Sequence, residues 1–121
     1  MTLTITLPHP PQSLRPNFRG HWARKSTAAS ALRKLAKWRA MEALAGAVLN
    51  WKKATVLITW ESTTARHPDP DNIIASLKSA FDGLQDAGVV LNDSGLWPVR
   101  PVILTRRPWP QVTLRIEEEL D

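Results

Sequence analysis

Proline divides this chain before any other residue type does. Pro8, Pro10, Pro11 and Pro16 crowd one short stretch, Pro68 and Pro70 bracket a single residue, and Pro108 and Pro110 flank Trp109. Proline fixes φ and removes a backbone donor, so regular elements are expected between these clusters. Ahead of the first cluster, Thr2, Thr4 and Thr6 alternate with Leu3, Ile5 and Leu7, the period-two pattern of a half-buried strand. Residues 8–21 are expected as loop. From Trp22 to Val48 the chain is proline-free and rich in Ala, Lys and Arg. There Leu32, Leu35, Trp38, Met41, Leu44 and Val48 recur at three- and four-residue steps, predicting an amphipathic helix. Arg33, Lys34, Lys37 and Arg39 should project from its wetter side.

Ala54–Trp60 is rich in β-branched residues and reads as a second strand. A loop from Glu61 to Pro70 leads to a second helix, expected from Asn72 to Asp86. Ile73, Ile74, Leu77, Phe81 and Leu84 form its apolar face, and Gly88 supplies a stop. Val89-Val90-Leu91 enters an Asn92-Asp93-Ser94-Gly95 turn. Val99–Arg107 and Gln111–Glu117 are predicted as the last two strands, joined by Pro108-Trp109-Pro110 as a hairpin connection. Glu117–Glu119 reads as a solvated end. The order β-α-β-α-β-β predicts an α/β fold, a small mixed β-sheet with two helices packed on one face. Trp38, Trp51 and Trp60 are expected in the core. Trp22, Trp97 and Trp109 fall in loops or at element ends, where they could stack on a base or be buried at an interface.

With 121 residues the chain is expected to form one domain over 1–121. It has no cysteine, which excludes disulfides, thiolate zinc sites and cysteine nucleophiles. No apolar run is long enough to cross a bilayer, and the N-terminus reads as a strand, not a signal peptide. A cytoplasmic protein with no membrane partner is expected. The net charge of +5 conceals an asymmetry. Residues 1–60 carry ten Lys/Arg against Glu42 alone, a net +9, whereas residues 61–121 carry six against ten acids, a net −4. The basic half has the character of a docking surface for a polyanion.

The acidic half holds the most specific chemistry. Asp69 and Asp71 are separated by one proline, and in extended chain residues two apart point the same way. Asp93 supplies a third carboxylate. Such oxygens are hard ligands suited to Mg²⁺ or Mn²⁺. Asp71 also sits where a helix N-cap belongs, so capping and ligation are both open for it. A calcium loop is excluded, because Ile73, Ile74 and Ala80 occupy its fifth, sixth and twelfth positions. His9, His21 and His67 lack zinc-ligand spacing. Lys78, seven residues beyond Asp71, could be a solvated charge paired with Asp82 or Asp86, or an ammonium that stabilises charge on a phosphodiester.

Taken in order, Asp69-Pro70-Asp71-Asn72-Ile73, Lys78-Ser79-Ala80-Phe81-Asp82-Gly83-Leu84, Ala87-Gly88-Val89 and Asn92-Asp93-Ser94 resemble the signature of RusA-type Holliday-junction resolvases. Ile5–Pro11 and Asn17–Trp22 are similar to that family's N-terminal pattern. The resemblance implies a homodimeric, Mg²⁺-dependent endonuclease of phage or prophage origin that cuts four-way DNA junctions. It implies that Asp69, Asp71 and Asp93 are the essential aspartates and Lys78 the functional lysine. Two positions depart from the pattern. Lys78 follows Asp71 at a longer interval than in the family, and Asn92 stands where a relative carries an acid.

The expected chemistry is metal-assisted phosphodiester hydrolysis with Asp69, Asp71 and Asp93 as metal ligands and Lys78 assisting. Arg15, Arg19, Arg24 and Lys25 are the expected DNA-backbone contacts, with Arg33, Lys34 and Lys37 as weaker candidates. A two-fold dimer would match the symmetry of a four-way junction. The alternatives are a non-catalytic branched-DNA-binding module, whose aspartates only cap and solvate, and a phage accessory interaction protein.

Overall fold

The alternation at the N-terminus sets the architecture. In the computed structural model, which describes residues 1–120, strand β1 (Thr2–Leu7) buries Leu3, Ile5 and Leu7 and exposes its threonines. Four further strands follow: β2 (Ala54–Glu61), β3 (Leu96–Pro98), β4 (Val102–Leu104) and β5 (Gln111–Glu118). The helices are α1 (Trp22–Leu44), α2 (Pro70–Ser76) and α3 (Lys78–Asp86), with 3₁₀ turns at Gln12–Leu14 and Asp93–Gly95.

The sheet is mixed. β5 lies between β1 and β2 and is antiparallel to both, while β3 and β4 run parallel to successive halves of β2. Ala54, Val56, Ile58 and Trp60 of β2 share a buried face with Val112, Leu114 and Ile116 of β5. α1 packs against β1 and α3 over that face. The opposite face is uncovered, and Leu57, Trp97 and Val102 are exposed there beside the threonines of β1.

The α/β class and mixed sheet agree with the sequence pattern, and four details do not. The expected second helix is two helices, because the chain turns at Leu77 (φ −98°, ψ 2°), whose N–H bonds to Ile74 instead of continuing the α-ladder. Only Val102–Leu104 of the expected 99–107 strand is regular, and a short strand precedes it at Leu96–Pro98. Pro108-Trp109-Pro110 does not close a hairpin. β4 pairs with β2, and both edges of β5 are already occupied by β1 and β2. Finally, α1 stops at Leu44, where Ala45 and Gly46 take left-handed backbone at φ 50° and 90°.

The helix pair is closer than apolar periodicity alone implies. Leu32, Ala36, Ala40 and Leu44 form the buried stripe of α1, every fourth residue, while Trp38 is 62% exposed and Met41 and Val48 also face outward. Trp38 is therefore not core, in contrast to Trp51 and Trp60. Small residues let the helices approach, and a β-carbon at Gly83 of α3 would overlap the Arg33 carbonyl of α1. Gly88 ends α3 as its sequence position suggests. With φ 84° it donates to the Gln85 carbonyl, and Val89 donates to that of Leu84, a Schellman stop. At the C-terminus, β5 runs through Glu118 and Glu117 pairs with Arg115 at 3.1 Å, so the acidic run begins inside the sheet.

Candidate functional site

The residues that carry the acidic motif come from three places in the fold, the start of α2, the start of α3 and the 3₁₀ turn at Asp93, and they form two groups. Asp69, not Asp71, occupies the N-cap position of α2, with Pro70 at the first helical position and Asp71 in the first turn. Neither carboxylate caps the helix by a side-chain hydrogen bond. Both are exposed and make no hydrogen bond or ion pair among the described residues. A helix N-terminus stabilises carboxylates electrostatically, but these two keep every lone pair available.

Asp93 is held from below. Its backbone N–H donates to Gln85 Oε1 at 2.9 Å, and Asn92 caps its 3₁₀ turn by accepting from the Ser94 N–H at 2.9 Å. Asn92, the departure from the acidic pattern, thus serves the local turn. Lys78 reaches across from the start of α3, its Nζ 3.9 Å from Asp93 Oδ2. One turn further along α3, Asp82 neighbours Asp93. Burial, together with that neighbouring carboxylate, pushes the Asp82 carboxyl above its ordinary range, against the pull of Lys78 and Arg33.

A cleft of about 250 Å³ separates Asp93 from α2, lined by Ile74, Ala75, Lys78 and Asp93. Asp71 lies one turn N-terminal to Ile74 and Ala75, on the helix face that borders this cleft. On the other side of Ala75 and Lys78 opens a cavity of about 370 Å³ that also touches Lys25, Ser79 and Asp82. Lys78 is therefore a ridge between two depressions. Among the described residues, no three Asp, Glu or His side chains stand close enough together to hold a cation. Asp93 is grouped with Lys78 and Asp82, and Asp69 and Asp71 form a separate exposed pair.

Asp82 escaped the sequence reading because its spacing from Lys78 offered a helical ion pair as sufficient explanation. Arg33, expected as a weaker DNA contact, has a different role. This guanidinium grips Asp86 with two hydrogen bonds of 2.6 and 2.9 Å, joining α1 to α3, and it holds the Asp86 carboxyl below the usual carboxylate range. It is a structural cation more than a docking one. Of the four residues expected to meet DNA, Arg19, Arg24 and Lys25 are exposed and Arg15 is half-buried. Arg24 and Lys25 crowd the N-terminal turn of α1, which holds no acid and is capped by His21 Nδ1 accepting from the Ala23 N–H. Helix dipole and side chains there attract an anion together. Trp22, Trp97 and Trp109 are all exposed, and the apolar face of the α2–α3 pair is buried in the core. That face is excluded as a dimer surface.

No family model matches this chain. An uncharacterized protein of Xylella fastidiosa (strain Temecula1) is 36% identical over 86 residues, which cover 69% of this chain and 56% of that protein. The chain thus matches little more than half the length of this relative. Among the described residues, no helix is long and apolar enough to cross a membrane.

Proposed function

We propose that this protein is a divalent-metal-dependent endodeoxyribonuclease of the RusA type that acts on four-way DNA junctions as a homodimer. The observation that carries the reading is the meeting of Lys78 and Asp93 across the cleft that α2 borders with Asp71. A cation and carboxylates on one rim, on a chain of net charge +5, suit a polyanionic substrate.

The donor chemistry fits Mg²⁺ or Mn²⁺. Asp69 and Asp71 offer partnerless exposed oxygens, and Asp93 adds a third carboxylate. Mg²⁺ keeps several waters and is commonly held by one or two carboxylates plus substrate phosphates, so a closed protein cage is not required. Bound metal supplies the Lewis acidity that polarises a phosphodiester and makes water nucleophilic near neutral pH. The Asp69–Asp71 pair and Asp93 stand apart, so they would hold it together only with water and substrate phosphate between them. Lys78 would release Asp93 and turn toward the phosphate, where an ammonium stabilises charge developing in the transition state. Lys25, which lines the cavity beside Lys78, would hold the backbone without reading sequence, with Arg24 next to it in the first turn of α1. The second copy that junction symmetry asks for has the uncovered sheet face with Leu57, Trp97 and Val102 available to it.

The test is cleavage of a labelled synthetic four-way junction, with linear duplex as control, in Mg²⁺ or EDTA. Wild type runs beside Asp71→Asn. Paired nicks across the junction, dependent on metal and lost in the variant, are the expected result. One structural fact favours the alternative of a non-catalytic branched-DNA-binding module, namely that no three acids are gathered among the described residues. Binding without cutting in either metal would establish that alternative instead.

A further inference from the structure

A third cavity, of about 370 Å³, is lined by Pro68, two residues before α2 begins. Its walls come from the loop after β1 and the loop after β2. They include His9, Arg15, Trp60, Arg66, His67 and Pro68, and no acidic side chain lines it. We propose that this cavity is a phosphate subsite that takes a DNA backbone phosphate adjoining the one to be cut. The inference rests on the nuclease reading for its substrate and on the cavity alone for its chemistry.

Two guanidiniums at the cavity lack a counter-charge. Neither Arg15 nor Arg66 makes an ion pair among the described residues, although Arg66 belongs to the acidic half of the chain. The guanidinium fork matches phosphate oxygens two at a time, which makes an arginine pair a specific reader of phosphodiesters. Arg66 is presented by an ordered loop. Ser62 Oγ donates to the Arg66 carbonyl at 2.6 Å, and the Arg66 N–H donates to Thr64 Oγ1 at 3.1 Å. That loop is pinned to its neighbour by Ser62 donating to Leu104 and Arg107 donating to Ser62. The ordered backbone leaves chiefly the side chain's own rotamers to be fixed on binding.

The floor is equally built. Trp60 is 3% exposed, and its indole N–H is buried with no hydrogen-bond acceptor. A buried donor without a partner carries a desolvation cost, and this one belongs to a residue that lines the cavity. His9 lies flat on the Trp60 ring, centroids 3.9 Å apart, and donates Nε2–H to the Glu61 carbonyl at 2.7 Å. Burial lowers the affinity of this imidazole for a second proton, so it acts as a rigid neutral wall.

The position ties the cavity to the candidate metal ligands. Pro68 lines it and Asp69 follows directly, so about 3.8 Å of backbone separates the wall from the first aspartate. A strand crossing Asp69 would set one phosphate by the carboxylates and a neighbour beside Arg15 and Arg66.

The experiment is a titration of full-length protein with ¹⁵N-labelled indoles, carried out in EDTA. The Trp60 N–H resonance is assigned by Trp60→Phe and, independently, by the ring-current change in His9→Ala. The probes are the dinucleoside monophosphate TpT, inorganic phosphate and thymidine. TpT should shift the Trp60 resonance saturably and thymidine should not. Arg15→Ala/Arg66→Ala should weaken TpT binding about tenfold or more. In four-way junction binding, the same pair should lower the salt slope by about 1 to 2. Equal shifts with thymidine would mean a stacking site and overturn the proposal, as would an unchanged TpT response in the double variant. A response to inorganic phosphate but not to TpT would overturn the DNA assignment. An intact TpT response in a protein that cuts no junction would support the subsite while refuting the nuclease reading.

Discussion

The Lys78 ammonium stands 3.9 Å from the Asp93 carboxylate, and Asp82 approaches the same carboxylate from the next turn of α3. One cation beside two acids offsets part of their mutual repulsion before any substrate arrives. The turn at Leu77 redirects the chain at Lys78, so its seven-residue separation from Asp71 no longer means two turns of one helix. The lysine is largely exposed and has Asp93 as its ion-pair partner.

Lys78 is expected to act on charge in the transition state more than on binding. Lys78→Ala should slow metal-dependent junction cleavage about 10²-fold. Lys78→Arg should recover part of the loss. Single-turnover rates at saturating protein measure this. A rate within twofold of wild type in Lys78→Ala would return the residue to the role of a solvated ion-pair partner.

The exposed carboxylates of α2 should separate function from stability. Neither Asp69 nor Asp71 caps by side chain, so Asp69→Asn and Asp71→Asn should each change unfolding free energy by no more than about 0.5 kcal/mol. Cleavage should be abolished in both. A loss near 1 kcal/mol in urea denaturation, the size of a removed cap, would contradict the geometry.

Gly83 should be intolerant for a reason unrelated to chemistry. In an ordinary exposed helix, Gly→Ala gains about 1 kcal/mol. At Gly83 the added carbon meets the Arg33 carbonyl and the Ala36 methyl, so Gly83→Ala should cost about 2 kcal/mol as α1 and α3 are forced apart. Urea unfolding midpoints test it, and a stabilised variant would disprove the close approach.

His9 should give the fold an acid-side dependence. Its folded pKa lies below the ordinary 6.5, chiefly through burial, so the unfolded chain binds the proton more readily. Stability is therefore complete above about pH 6.5 and falls with pH below it, until the folded His9 is itself protonated. Thermal unfolding of wild type and His9→Phe from pH 8 to 5 should show a smaller loss in the variant. Parallel curves would assign the slope to other groups.

Much of the architecture could be read from local pattern. Period two in Thr2–Leu7, the β-branched run of Ala54–Trp60, the apolar spacing from Ile73 to Leu84, and the Gly88 stop are properties of neighbouring residues. Each follows from which side of a strand or helix a residue must face. The donor types were equally legible, since carboxylates flanking Pro70 suit hard cations wherever they sit. Tertiary packing decided the rest. Arg33 meets Asp86 across 53 residues, Arg15 shares a cavity with Arg66, and small residues bring α1 onto Gly83. It also decided that Trp38 faces water and that β4 joins β2, leaving no hairpin with β5. Periodicity says which face of an element is apolar, but only long-range packing determines what that face, or a charge beside it, will meet.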